Sequence, residues 1–348
     1  MTQSKTLIFF AKIIAFSFAI GAMTTLLNTQ DGIAIPELFV GGVTGAMIGA
    51  GCLVFEVFWL SNRSIRWLRK VPIAIIVVMR ATAYSLIIVI SLVLPALVFL
   101  GRSLWQEPDF LFSFSLSISI AVAISTALEL FQLLGREASL AVFTGRYRRP
   151  RLENRIVMFA DLTGSTAMAE RLGELRFHEL LGDVAYDLDV PIANAGGEIH
   201  RYVGDAIIAT WPMVESKNFE RGLVCAAEMV GTLKASSATY SARYGQELRI
   251  RVALHCGPVA AGEVGAWKKE IALLGDTMNS AARIESAARA YGADIVVSDT
   301  FKGHLPDTWQ ARLRRLPDYA AHGKHDALRL WALDARRDAD GSQHVSLK

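Results

Sequence analysis

The chain has 348 residues, 52% of them hydrophobic, too apolar for a single soluble domain of this length and a sign of membrane spans. Its formal charge of +3 is a sum over two unlike parts, a charge-poor 5–134 and a globular composition after Arg136, so it does not suggest nucleic-acid binding. Cys52, Cys225 and Cys256 have no CxxC pairing, which argues against a disulfide framework or a zinc site and for a reducing compartment around the C-terminal half.

In chain order, the apolar runs predict four spans, 6–27, 36–60, 71–100 and 110–134, each longer than the roughly 20 residues that cross a bilayer. The first reads as an anchor, because its apolar region is too long for a signal peptide and no small-residue cleavage site follows. The 61–70 loop carries Arg63, Arg66, Arg69 and Lys70, and the segment after the fourth span carries Arg136, Arg146, Arg148, Arg149 and Arg151. The other two loops hold only Arg102 as a positive charge, so both termini are expected in the cytosol. The expectation for 1–134 is a multi-pass domain in the lipid bilayer of the inner (plasma) membrane, with the C-terminal domain cytoplasmic. Lys12, Glu56, Arg80 and Glu129 fall inside the spans, toward their cytosolic ends. They either pair or line a cavity, or they snorkel to the interface. No span contains histidine, which excludes bis-histidine haem ligation there. The helices either receive a lipid-soluble signal or only anchor and dimerise.

Residues 135–152 form a helical, basic linker, stopped by Gly145 and Pro150. It reads either as a rigid transmitter or as a juxtamembrane stop near anionic lipid.

In the soluble part, "RIVMFAD" (155–161) is a buried strand by its continuous apolar run. "LTGST" leads into a helix over 166–190, with Leu181, Val184 and Leu188 on one face. Strands 197–203 and 206–212 fold back at Gly204–Asp205, then come a helix over 218–238 and a strand over 248–256. This order, β-α-β-β-α-β, predicts an α+β domain of ferredoxin-like arrangement over 153–335. A strand-to-helix unit at 270–290 and strands at 293–299 and 327–333 complete it, and the polar 336–348 reads as a disordered tail.

In that topology the first strand lies beside the hairpin, so Asp161 and Asp205 reach one edge of the sheet. Two carboxylates there repel unless a cation lies between them, and hard oxygen ligands beside a glycine-containing loop suit Mg²⁺ with phosphates. Thr163, Gly164, Ser165 and Thr166 can present backbone N–H groups to such phosphates at a helix N-terminus. Asp- and Gly-rich turns are common, so an ordinary turn competes with this reading.

Four segments, "FADLTGST", "GGEIHRYVGDAIIATW", "ALHCGPVAAGEVG" and "LLGDTMNSAARIE", occur in order. With them the 150–335 region resembles the catalytic domain of class III nucleotide cyclases, adenylate cyclases in particular. The resemblance implies that Asp161 and Asp205 hold two divalent ions, Mg²⁺ or Mn²⁺, over the triphosphate of ATP. It implies that Asn279 orients the ribose and that Arg283 stabilises charge on the transferring phosphorus. The two lie four residues apart on one helix face; without the resemblance Arg283 would read as a surface residue. Thr163, Gly164, Ser165, Thr166 and Gly204 line the nucleotide in this reading. Lys324 is either a triphosphate contact or an exposed loop lysine. The active site is expected at the interface with a homodimer partner chain, which supplies Asn279 and Arg283 to the first chain's acids.

Base selection departs from the family pattern. A lysine position holds Arg201, and an Asp or Thr position holds Ala272, which has no side-chain hydrogen bond to offer. Lys268, Lys269 and Glu270 either substitute or form a solvated charge run. His200 and His255 read as packed strand residues, and Cys256 as space-filling. The expected function is a membrane-anchored adenylate cyclase. The alternatives are a catalytically degenerate nucleotide-binding module and a guanylate cyclase. A diguanylate cyclase, loosely echoed by "GGEIH", would leave "NSAAR" without a role.

Overall fold

The computed structural model describes residues 3–28, 35–61, 71–101, 110–134, 144–267, 269–319 and 328–333. The chain divides into two compact units, Met1–Leu133 and Leu134–Lys348. The expected helical continuation of the linker, Lys268, Lys324 and the 336–348 tail lie wholly or mostly outside the described residues.

The first unit holds helices α1 (Gln3–Asn28), α2 (Ile35–Ser61), α3 (Ile73–Pro95) and α4 (Phe110–Leu134), close to the four apolar runs. Pro95 has no N–H to continue the α-helical ladder, and α3 passes there into a π-helical turn, Ala96–Leu100, before stopping at Gly101 with φ 60°. Large apolar side chains face outward, among them Phe16, Val54, Val78 and Leu86. Two stretches, Ile35–Glu56 and Ala74–Phe99, are long and apolar enough to cross a bilayer by length and composition. Among the described residues, the apolar stretches of α1 and α4, Phe10–Leu26 and Ile118–Ala127, are shorter.

α1 and α2 touch backbone to backbone. A Cβ on Gly21 would stand 2.2 Å from the Gly41 carbonyl oxygen, and one on Gly45 would stand 2.2 Å from that of Ser17. Of Lys12, Glu56, Arg80 and Glu129, Glu56 and Arg80 pair with each other, Nη2 to Oε2 at 3.5 Å. Tyr84 Oη donates to the same carboxylate, and Arg80 is 1% exposed. Lys12 is exposed, while the Glu129 side chain lies outside the described residues.

The second unit runs β1 (Arg151–Leu162), α5 (Ser165–Leu172), α6 (Glu174–Asn194), β2 (Glu198–Val203), β3 (Ala206–Pro212), α7 (Lys217–Ala235), α8 (Ser237–Tyr244), β4 (Ile250–Val264), β5 (Glu270–Leu274), α9 (Asp276–Tyr291), β6 (Ile295–Ser298), α10 (Asp299–Lys302), α11 (Asp307–Gln310), β7 (Leu313–Arg315) and β8 (Leu330–Leu333). The sheet order is β2-β3-β1-β4-β6-β8-β7, with β5 paired to β4. β2, β3, β1 and β4 are mutually antiparallel, the order of a β-α-β-β-α-β fold, and β6 joins β4 in parallel, so the whole sheet is mixed.

Several boundaries differ from the sequence reading: β1, expected over 155–161, begins at Arg151, inside the expected 135–152 linker, because its pairing with β4 starts there. The helix expected over 166–190 breaks at Gly173, whose φ of 74° no helical residue adopts, and α6 then runs on to Asn194. The strand expected to end at 256 continues to Val264, because β1 pairs with it as far as Ala261 and β5 from Ala260 onward. The helix expected over 218–238 ends at Ala235 and a separate helix follows.

Side chains alternate across β1, so the strand feeds two cores. Ile156, Met158, Ala160 and Leu162 pack with Leu180, Val184 and Leu188 of α6 and Leu223 and Met229 of α7. On the other face Val157 packs with Ile208 of β3, Leu273 of β5 and Ala281 of α9, and Phe159 joins them. Burial pushes the Cys225 thiol up to about 12, helped by the charge of Glu228, and the Cys256 thiol up to about 11. Neither is a thiolate at neutral pH, and both serve as packing.

At the outer end of β1, the 3%-exposed Arg155 donates to Glu153 Oε2 (2.8 Å from Nη2), Tyr147 Oη (3.0 Å) and Thr210 Oγ1 (3.3 Å). Burial pushes the Glu153 carboxyl up, but the Arg155 hydrogen bonds and charge, with Arg146, outweigh it and hold the group below its ordinary 4.5. A carboxyl held low in the folded chain contributes its full stability above pH about 4.5 and loses it as pH falls further. Glu153→Gln is expected to cost about 1–3 kcal/mol at pH 7, since it removes the nearer of two carboxylates facing a buried guanidinium and leaves Glu198 Oε2 3.7 Å from Nη1. The melting-temperature gap between wild type and variant is expected to narrow between pH 5 and 3.5; a gap independent of pH would show that this pair does not carry the linkage.

Candidate active site

β1 ends at the site. Asp161 lies directly across from Ala206 of β3 on one side and Arg251 of β4 on the other. By strand alternation its side chain shares the face of Phe159, the face covered by α9. It is 7% exposed. Arg251 Nη2 donates to Asp161 Oδ2 at 2.9 Å, and Arg289 Nη2 of α9 donates to the same oxygen at 3.1 Å. Glu285, one helical turn before Arg289, completes a ring. Its Oε1 stands 3.6 Å from Arg251 Nε and 3.4 Å from Arg289 Nη2. Burial first, and the charge of Asp161 second, raise the Glu285 carboxyl above its ordinary value. Two arginines interleaved with two carboxylates thus fix Asp161 in place.

Asp205 follows Gly204, whose φ of 61° closes the β2–β3 turn. Because Ala206 is the cross-strand partner of Asp161, the β1–β3 register brings Asp205 to the same end of the sheet, as expected from the sequence. Asp205 is half-buried and borders a shallow hollow with Leu162, Val184 and Ile250. Among the described residues no group of three or more His, Cys, Asp or Glu could hold a metal ion. Asp161 and Asp205 are hard oxygen donors brought to one end of the sheet. Carboxylate oxygens are the donor type that Mg²⁺ or Mn²⁺ takes, so these two residues could hold such a cation.

Between β1 and α5, Gly164 (φ 75°) turns the chain into the helix without a side-chain cap. The Thr163 amide donates to the Arg249 carbonyl at 2.8 Å, so it is already committed and is not an anion donor. The amides of Ser165, Thr166 and Ala167 begin α5 and lie outside its own ladder, which shifts the expected phosphate cradle one residue onward.

Asn279 is exposed and Arg283 half-buried on α9. The helix start is pinned by Thr277 Oγ1, which donates to the Pro258 carbonyl at 2.7 Å. Arg289 lies ten residues beyond Asn279, about 15 Å along the axis. The end of α9 that holds Asp161 is thus distinct from the end that carries Asn279. Among the described residues no hydrogen bond or ion pair joins Asn279 or Arg283 to Asp161 or Asp205 within the chain.

The remaining sequence candidates fall as follows. Arg201 forms an ion pair with Glu270 of β5. Ala272 sits on β5 opposite Gly262. Lys269 is taken by Glu263, as a solvated charge run would have it. His255 Nδ1 is 2.8 Å from Ser298 Oγ between β4 and β6, a packed strand residue as expected. Arg251, Glu285 and Arg289 were not anticipated from the sequence. The Glu285–Arg289 spacing was the available signal, since residues four apart share a helix face.

The family described as the adenylate and guanylate cyclase catalytic domain matches residues 148–334. The chain is 35% identical over 208 residues to adenylate cyclase 2 of Rhizobium meliloti (strain 1021), covering 60% of this chain and 57% of that one. It is 29% identical over 187 residues to atrial natriuretic peptide receptor 2 of Rattus norvegicus, covering 53% of this chain and 18% of the receptor. It therefore spans little more than half of the first relative and a small part of the second. A solved bacterial light-regulated adenylyl cyclase shares the fold with a TM-score of 0.55 at 18% identity, over 67% of each chain. With the family match spanning β1 to β8, the chain belongs to the adenylate and guanylate cyclase catalytic-domain family, and its second unit is a nucleotide cyclase catalytic domain.

Proposed function

We propose that this chain is a membrane-anchored adenylate cyclase that converts ATP to 3′,5′-cyclic AMP and pyrophosphate at the interface of a homodimer. The observation that carries the reading is the division of the site. Asp161 and Asp205 share one end of the sheet, whereas Asn279 and Arg283 stand on α9 with no hydrogen bond or ion pair to them among the described residues. A second copy supplies what the first lacks.

Two divalent cations, Mg²⁺ or Mn²⁺, held by Asp161 and Asp205 would sharpen the 3′-oxygen as a nucleophile and neutralise the phosphates. The chain's own groups do the rest. Arg251 and Arg289 fix the Asp161 carboxylate before substrate arrives. The amides of Ser165 and Thr166, with the open turn at Gly204, receive the phosphates, and Lys324 is a further candidate for them. Asn279 of the second copy orients the ribose, and its Arg283 meets the charge that develops on the α-phosphorus. The O3′–Pα bond forms as the bond from Pα to the bridging oxygen breaks. Pyrophosphate leaves with that electron pair, and the 3′-hydroxyl proton passes to solvent.

The α1–α4 unit supports an anchor in the bilayer, with both termini cytosolic and the α2 and α3 stretches as its strongest spans. In that position the helices set how two catalytic domains face each other, a population shift between dimer states. The adenine preference is supported by the relatives named as adenylate cyclases.

The test is product analysis on the purified chain with ATP or GTP and either Mg²⁺ or Mn²⁺. Cyclic AMP is the expected product. Tight ATP binding with no product under either metal would replace this reading with a nucleotide-binding module, and predominant cyclic GMP would make it a guanylate cyclase.

A further inference from the structure

Asp161, proposed above to hold a cation, already has its charge matched by its own chain. Arg251 Nη2 and Arg289 Nη2 both donate to its Oδ2, at 2.9 Å and 3.1 Å. A carboxylate oxygen has two lone-pair sites, so this oxygen is fully committed. Glu285 joins the same ring, 3.6 Å from Arg251 Nε and 3.4 Å from Arg289 Nη2. Two carboxylates at most cancel two guanidiniums. A divalent cation meeting Asp161 therefore finds no net attraction in the ring and competes with both guanidiniums for Oδ2.

The two arginines are not equally held. Arg251 is the cross-strand neighbour of Asp161 on β4, and its side chain is 12% exposed. Arg289 reaches the same oxygen from the last turn of α9 with a side chain 61% exposed. An ion pair that open to solvent is weak, so Arg289 is the partner that can leave. It also has somewhere to stay. Glu285 lies one helical turn back on α9, and a guanidinium in the last turn suits the negative end of the helix.

The ring also holds a bond not yet made. Arg251 Nε is buried and has no hydrogen-bond partner among the described residues. Glu285 Oε1, 3.6 Å away, stops just beyond hydrogen-bond reach. Arg289 donates to Glu285 and Asp161 together, which holds Glu285 toward Asp161 and away from Arg251 Nε. Once Arg289 lets go of Asp161, a small shift of Glu285 closes that gap.

We infer that Arg289 is a displaceable counter-charge on Asp161: it pins the carboxylate until a divalent cation takes its place at Oδ2, and it then remains on Glu285, which closes onto Arg251 Nε. This rests on the cyclase reading above. Arg289 is a positioning residue that acts through Asp161. It keeps the carboxylate aligned and sets the cation concentration at which the site assembles.

The experiment titrates Mn²⁺ into the purified full chain by calorimetry, without nucleotide. Separately, it finds the Mn²⁺ concentration that gives half-maximal cyclic AMP at saturating ATP. Asp161→Asn is expected to lose the calorimetric binding, which assigns the site; binding that survives this change lies elsewhere and overturns the inference. Arg289→Gln removes the competing charge and is expected to tighten Mn²⁺ roughly 10-fold in both readings. That is the effect of one charge facing a divalent ion across a few ångströms of water-like medium. Arg289→Lys keeps the charge and is expected to stay near wild type. If Arg289 only braced Asp161, Arg289→Gln would weaken Mn²⁺ instead. Unchanged or weakened binding in Arg289→Gln, or equal tightening in Arg289→Lys, overturns the inference, as does a wild type that binds no Mn²⁺. A wild type that binds Mn²⁺ through Asp161 yet makes no cyclic product from any triphosphate defeats the cyclase reading, while calorimetry still decides for Arg289, so the two failures are distinct.

Discussion

Asp161→Ala and Arg283→Ala are each expected to abolish cyclic nucleotide formation, and an equal mixture of the two variants is expected to recover about one quarter of wild-type activity, from the symmetry of a two-fold dimer. Each loss is expected to exceed about 10³-fold if, as proposed, Asp161 holds a cation and Arg283 meets the charge that develops at the transferring phosphorus. In a freely exchanging mixture half of the dimers are mixed. A mixed dimer has one site that combines the intact Asp161 of one chain with the intact Arg283 of the other, and a second site that lacks both. Half of the dimers with half of their sites gives the quarter. The structure makes this a sharp test, because α9 already spends its far end on Asp161 of its own chain through Arg289, 3.1 Å away. If Asn279 and Arg283 acted on their own chain's acids, every dimer in the mixture would be dead. A mixture no more active than its components, measured by cyclic AMP after co-expression, would refute the shared site.

What could be read from the sequence and what could not separate along physical lines. β1 was legible because both of its faces are buried, Ile156 and Met158 toward the helices and Val157 toward α9, which leaves a continuous apolar run. The meeting of Asp161 and Asp205 was legible because a tight hairpin next to its neighbouring strand leaves little freedom of register. The extension of β4 through Gly257 and Pro258 was not. A Gly–Pro pair reads as a stop, but Pro258 needs no ladder donor, and its carbonyl is taken by Thr277 Oγ1. The ring of Arg251, Glu285 and Arg289 around Asp161 was illegible as a set, because it draws on β4 and α9, which only the folded chain brings to the end of β1. Glu270 could be noticed as a nearby charge, but its bond to Arg201 depends on the β5 arm lying over the sheet face.

The second large effect concerns what holds Asp205 in place. β3 begins one residue after Asp205 and carries Trp211 near its other end, fully buried and cross-strand from Ile156. The indole Nε1 donates to the Ala195 carbonyl at 3.1 Å, and the ring lies so close to Gly197 that a Cβ there would stand 2.4 Å from Cζ2. Gly197 leads into β2, so a single ring clamps both arms of the hairpin to the end of α6. Trp211→Ala is expected to cost about 3–5 kcal/mol, from lost burial, a cavity and an unpaired carbonyl. For a domain of this size that lowers the melting temperature by roughly 6–20 °C. Gly197→Ala in the wild-type background forces a methyl against the rigid ring and costs about 1–3 kcal/mol. In the Trp211→Ala background the two closest clashes are gone, only Ile192 Cγ2 stays at 3.0 Å, and most of the cost is expected to disappear. The double variant should therefore be more stable than the sum of the single effects requires, by most of the cost of Gly197→Ala. Additive losses in a thermal-melt cycle would mean that Gly197 and Trp211 do not share the space, and that the hairpin bearing Asp205 owes its position to the β1–β3 ladder alone.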